Sequence, residues 1–109
     1  MNFDEYQKLA MRTAPSKDKL TLEMHSLHGM ASEVGELHGI YQKTYQGHAM
    51  EKHHAMSEMS DLLWFIAEWC TANDYKLGDV AQYNIDKLTK RYPDGFSSEK
   101  SLHRKDGDI

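Results

Sequence analysis

The sequence lacks most of what marks a secreted, membrane-spanning or nucleic-acid-binding protein. A single cysteine, Cys70, stands among 109 residues, so no intrachain disulfide can form. In an apolar run a lone thiol behaves as a small buried hydrophobe. No apolar run approaches the roughly 20 residues of a membrane span. The opening "MNFDEYQKLAMRT" is polar and acidic early, without the apolar core of a signal segment. Basic charge is also short: 13 Lys and Arg against 17 Asp and Glu give a formal charge of −4. That speaks against a binder of nucleic-acid polymers, which shows a basic face. A local basic patch for a small anionic ligand remains compatible with it. These absences predict a cytoplasmic protein with neither a membrane nor a nucleic-acid polymer among its partners.

Proline is nearly absent too, and no strand-like alternation stands out anywhere. Pro15 and Pro93 read as punctuation between helices. Phe3, Tyr6, Ala10 and Thr13 recur at helical spacing behind a capping box of Asn2 and Glu5, predicting a helix over residues 3–13. From Leu20 onward, Leu27, Met30, Val34, Leu37 and Tyr41 mark a helix face that fades near Gly47. A polar, histidine-rich link, "GHAMEKHH", follows. Met56, Met59, Leu63, Ile66 and Cys70 form a second long stripe, ending around "TANDY". Leu77, Ala81, Asn84 and Leu88 form a third, stopped at "RYPDGF" by the turn residues Pro93 and Gly95. The tail is polar and without periodicity, which predicts extended or partly disordered chain. The expected fold is all-α: a four-helix bundle-like single domain over residues 1–96, with a polar tail over 97–109. A domain of this size buries a limited fraction of its surface. The seven Met residues supply adaptable apolar surface, so dimerisation is expected to complete the domain.

Two acid pairs interrupt these stripes. "SEVGELHGIYQ" sets Glu33 and Glu36 three residues apart, and "SEMSDLLWFIAEW" does the same with Glu58 and Asp61. On a wheel of 100° per residue, Glu33 falls between Leu37 and Ile40 at the core edge, with Glu36 further out on the same flank. Glu58 falls between Phe65 and Trp69, and Asp61 beside it on the polar side. Two carboxylates about 5 Å apart repel by about 3 kcal/mol at an effective dielectric near 20. Partial burial adds a desolvation cost. Protonation, a cationic side chain or a bound cation can relieve it. Neither "SEVGELHG" nor "SEMSDLLW" supplies Lys or Arg at helical spacing. All-oxygen donors suit a hard ion, Mg²⁺ first and Mn²⁺ as a substitute. One such pair is common on a solvated helix face. Two on successive helices, each abutting apolar residues, favour a metal.

Asn84, Lys87 and Arg91 follow at steps of three and four. Cations in a last helical turn are explained by the helix dipole. An amide within an apolar stripe is not, since burial there is expensive. A cationic line beside a carboxylate–metal site suits a phosphate.

These residues resemble the MazG-like nucleotide pyrophosphohydrolases of the all-α NTP pyrophosphohydrolase superfamily, whose pattern is ExxE followed by ExxD. Here it reads Glu33-Val34-Gly35-Glu36 and Glu58-Met59-Ser60-Asp61. The framing is more specific: "YQKLAMRTA", "GMASEVGEL", "EMSDLLWFIAEW" and "NIDKLTKRYPDGFSSEKS", the last like the ending of small single-domain members. The resemblance spans nearly the whole chain. It implies hydrolysis of a ribo- or deoxynucleoside triphosphate to the monophosphate and pyrophosphate, with Mg²⁺ held by Glu33, Glu36, Glu58 and Asp61. It assigns Asn84, Lys87 and Arg91 to the substrate phosphates or the acid cluster, adds Lys43 as a further phosphate contact, and implies a homodimer or dimer of dimers. Lys87 and Arg91 are expected to stabilise developing charge, and Glu36, on the outer rim, to activate water. Tyr6 and Gln7 are candidates to approach the base. One departure is Ser32, where many members carry another acid.

Two rival readings differ in class. A di-iron carboxylate bundle uses Glu-x-x-His from two helices. Here Glu51-x-x-His54 occurs once, in an expected link, and neither acid pair is followed by a suitably spaced His. The pairs His25/His28 and His53/His54 offer too few ligands for zinc and read as surface residues. A non-catalytic module could bind Mg-nucleotide without turnover; intact triphosphate in the presence of tight binding would identify it.

Overall fold

The computed structural model describes residues 1–104, and all regular structure in them is helical. The chain divides into two compact units, Met1–Leu77 and Gly78–Ile109. The all-α expectation holds. No helix among the described residues is long and apolar enough to cross a membrane.

The first unit opens with α1, Phe3–Ala10, continued by a 3₁₀ turn, Met11–Thr13. The Asn2 side chain caps α1 by accepting from the Glu5 amide at 2.8 Å and donating to the Glu5 carboxylate at 2.9 Å. The capping box is therefore present, with its return bond made by the Asn2 side chain rather than its backbone. The helix α2, Lys19–Tyr45, starts on Asp18, whose carboxylate accepts from the Thr21 amide and hydroxyl. It stops through a Schellman motif. Gly47, at φ +104°, donates to Thr44, and His48 donates to Lys43. The helix α3, Lys52–Ala72, ends in a second such motif in which Asp74 takes the left-handed position at φ 59°. Tyr75 donates to Cys70 and Asp74 to Thr71, while the Asp74 carboxylate pairs with Lys19.

The helices α2 and α3 pack as an antiparallel hairpin: His25 meets Glu68, Gly29 meets Phe65, and Glu33 meets Glu58. Gly29 permits the close approach, since a Cβ there would lie 2.2 Å from the Phe65 ring. Leu22, Ile40, Ala67, Ala72 and Leu77 are buried, and Cys70 is buried as its apolar setting predicts. Gln7 ties α1 to the far end of α3. Its amide donates to Thr71 Oγ1 and the Tyr75 carbonyl, and its oxygen accepts from the Leu77 amide. Trp64 adds a second tie, its indole N–H donating to the Ala10 carbonyl at 2.9 Å.

The helix α4, Leu77–Arg91, belongs to the second unit from Gly78 onward and gives way to a turn at Pro93–Gly95 with Gly95 at φ +91°. Beyond it, Ser97 caps a short α5, Ser98–Leu102. Part of the expected extended tail is thus helical, because the Ser97 hydroxyl satisfies the Lys100 amide. Residues 105–109 of that tail lie outside the described residues.

Candidate active site

The acid pairs lie where the α2–α3 hairpin brings them face to face. One carboxylate oxygen from each of Glu33, Glu36 and Glu58 lies within 4.8 Å of the others. Glu33 is half-buried and Glu36 exposed, matching the core-edge and rim positions read from the helix wheel. The Glu58 side chain is 13% exposed. Asp61 is exposed and stands outside that trio, yet near enough for its charge to act on Glu33 and Glu36.

The electrostatics follow from this crowding. Glu33 is pushed up to about 7, chiefly because its carboxyl shares a hydrogen bond with Glu58, and further by burial and the charges of Glu36, Glu58 and Asp61. Glu36 is raised for the same leading reason. Glu58 is lowered, as the group that both neighbours bond to and that His54 supports. With Glu33 and Glu58 both ionised, each keeps one buried oxygen that no donor reaches. Buried carboxylate oxygens without donors are costly, and a hard cation satisfies such a set. An octahedral ion with bonds of about 2.1 Å holds its ligand oxygens about 3 to 4 Å apart, so these three stand within reach of one ion.

His54 enters the site unforeseen. It lies inside α3, where its Nε2 meets Glu58 at 3.2 Å and its Nδ1 meets Glu51 at 3.3 Å. The spacing of Glu51, His54 and Glu58 carries the signal, but only once α3 is begun at Lys52 rather than near Met56. His54 also lines a small pocket of about 140 Å³ at this end of the hairpin, with Ile40, Lys43, His48, Ala49 and Glu51. Lys43 therefore opens onto the same end of the hairpin as Glu58's partner.

A second pair carries no local signal at all. Glu68 is fully buried and accepts from His25 Nδ1 with both oxygens, at 2.8 and 2.9 Å. Its partner lies 43 residues away in sequence, beyond any local spacing rule. The reading of His25 as a plain surface residue is corrected accordingly.

The remaining candidates divide. Gln7 has its amide engaged in the ties described above. Asn84, Lys87 and Arg91 all lie on α4. Asn84 is exposed rather than sunk in an apolar stripe, because only Leu77 of that stripe is buried. The desolvation argument for Asn84 therefore falls, while its place one turn before Lys87 stands.

Searches of curated proteins and of solved structures give no match. The model of the MazG nucleotide pyrophosphohydrolase domain matches residues 23–96, which takes in both acid pairs and α4. With more than half of its length matched, this chain belongs to the MazG nucleotide pyrophosphohydrolase family.

Proposed function

We propose that this chain hydrolyses a ribo- or deoxynucleoside triphosphate at the α–β phosphoanhydride, giving the monophosphate and pyrophosphate. The observation that carries the reading is the trio of Glu33, Glu36 and Glu58 carboxylates, of which Glu33 and Glu58 each bury an oxygen that lacks a donor. Together with Asp61 they form a donor set suited to Mg²⁺, with Mn²⁺ as a substitute. Held there, the ion would supply Lewis-acid charge to the phosphoryl oxygens.

The side chains do the rest. Glu36, the exposed member of the trio, takes the proton of the attacking water, because it lies on the outer rim where water reaches it. Lys87 and Arg91 offset the charge that develops as the phosphoanhydride breaks, and Asn84 bonds a substrate oxygen one turn earlier. Lys43 binds phosphate from its wall of the pocket. Gln7 acts at one remove, holding α1 against the end of α3.

The same reading includes a cytoplasmic homodimer or dimer of dimers. Its support is the apolar side chains exposed along the hairpin, among them Leu27 and Val34 on α2 and Met56 and Met59 on α3. Sedimentation should give a mass of two or four chains.

The test is pyrophosphate release from a panel of nucleoside and deoxynucleoside triphosphates with and without Mg²⁺, with Glu36→Gln beside the parent protein. Mg²⁺-dependent release lost in the variant supports the proposal. No turnover of any nucleotide by folded, metal-loaded protein overturns it.

A further inference from the structure

Glu68 is 0% exposed, in the middle of the apolar run of α3. A carboxylate stripped of water requires a donor, and His25 Nδ1 faces both of its oxygens. That arrangement fixes the imidazole orientation and puts its proton on Nδ1. Nε2 has no hydrogen-bond partner among the described residues, on a side chain that is 45% exposed. Apolar residues would fill such a place at least as stably as an ionic pair. A buried acid that sets the tautomer of a solvent-facing imidazole instead prepares the outer nitrogen for a ligand.

The position of the pair selects the part of the ligand it meets. At 100° per residue, His25 and Glu36 lie within about 20° of each other on α2, as do Glu68 and Asp61 on α3. The pair thus shares an edge of the hairpin with the acids. Seven to eleven residues separate them, or about 10 to 17 Å of helix rise, too far for phosphates centred on the acids. The opposite end of the hairpin carries Lys43, His48 and His54 around their pocket, the end suited to phosphate charge. At the His25 end the neighbours are rings: Trp64 edge-on with centroids 6.1 Å away, and Phe65 at 5.5 Å. The buried charge of Glu68 disfavours a further anion. A flat, neutral, hydrogen-bonding group fits there.

We propose that His25, positioned by Glu68 and flanked by Trp64 and Phe65, is a specificity-determining residue that hydrogen-bonds the nucleobase of the substrate through Nε2. This rests on the pyrophosphohydrolase reading above. With Nδ1 committed to Glu68, Nε2 is the ring atom left to meet the hydrogen-bonding edge of the base.

The experiment is calorimetric binding of the four α,β-imido deoxynucleoside triphosphates, with inorganic tripolyphosphate as a base-free probe, all with Mg²⁺. The parent protein is compared with His25→Gln, whose amide can still donate to Glu68, and with the double variant H25F/E68L, which leaves no unpaired buried charge. Circular dichroism melts check that each is folded, and either folded variant suffices. The parent is expected to rank the four bases. The variants should lose about tenfold for the preferred base, one hydrogen bond's worth, while tripolyphosphate binds as before. Equal affinity for all four bases in the parent, an unchanged ranking in the variants, or an equal loss for tripolyphosphate overturns the proposal. Binding that ranks the bases without any turnover would remove the hydrolase reading and leave His25 in its role. Turnover of all four with equal kcat/KM would do the reverse.

Discussion

Glu33 and Glu58 face each other across the α2–α3 hairpin, and each buries one carboxylate oxygen that no donor reaches. A shared proton or a cation resolves the conflict, and the two exchange as pH rises. Glu33 goes from an ordinary value of 4.5 to about 7 in the folded chain. Between those values the folded state binds more protons than the unfolded one, so stability falls as pH rises. Glu36, also raised, adds to the same trend. Glu58 is lowered, so its own contribution is lost only toward more acid pH, below 4.5. Metal-free protein should therefore show a Tm contribution that declines from pH 4.5 to 7, and Mg²⁺ should raise Tm more at pH 8 than at pH 5. Melts in EDTA and in excess Mg²⁺ read this directly; an equal Mg²⁺ effect at both pH values would refute it.

Glu33→Gln removes one negative charge while keeping the shape. It should raise the melting temperature of metal-free protein at pH 8, flatten the pH trend and weaken the Mg²⁺ response. Turnover should fall by on the order of 10²-fold or more, since even residues behind metal ligands cost 10 to 100-fold. A variant that is less stable without metal would contradict the crowding argument.

His25→Ala leaves Glu68 buried without its donor. Removing one partner of a buried pair costs about 3 to 5 kcal/mol. Because His25 is half-exposed and water can enter, the expected loss is nearer the lower figure. Urea unfolding measures it, and H25A/E68L should recover much of the loss. A loss below about 1 kcal/mol, the range of exposed pairs, would mean that the pair is not desolvated.

Gly29→Ala would ordinarily strengthen a helix by about 1 kcal/mol. Here the added methyl meets the Phe65 ring, which is hemmed by Trp64 and His25. Net destabilisation of about 1 to 3 kcal/mol is expected, with a changed near-ultraviolet dichroism signal. The double variant G29A/F65L should be more stable than G29A alone.

Gln7→Ala removes three hydrogen bonds and strands the Leu77 amide. A loss of about 2 to 3 kcal/mol follows from typical values, read by chemical denaturation.

Much of this was legible in the sequence because helix stripes and acid spacing are local signals. Glu33 at a core edge and Glu36 on the rim follow from the helix wheel alone. What was not legible has two causes. Helix starts are set by backbone geometry that polar residues such as Lys52 and His53 do not announce, so the sequence pattern puts His54 in a link although it lies within α3. Long-range pairing leaves no period: nothing near Glu68 signals that His25 meets it. Asn84 is the converse case: its place on an apolar stripe predicts burial, although the stripe itself is largely exposed.

The Gln7 tie also carries a consequence for biosynthesis. Its partners are Thr71, Tyr75 and Leu77, so α1, though made before them, must wait for almost the whole first unit before it can dock. The α2–α3 hairpin closes through a much shorter loop and needs no help from α1 to form its own contacts. Contacts between residues distant in sequence form late, after the loop between them has been closed. The α1 segment is thus the last part of its unit to be secured during synthesis and, held by few polar contacts, the first that a nascent-chain chaperone or protease would find free.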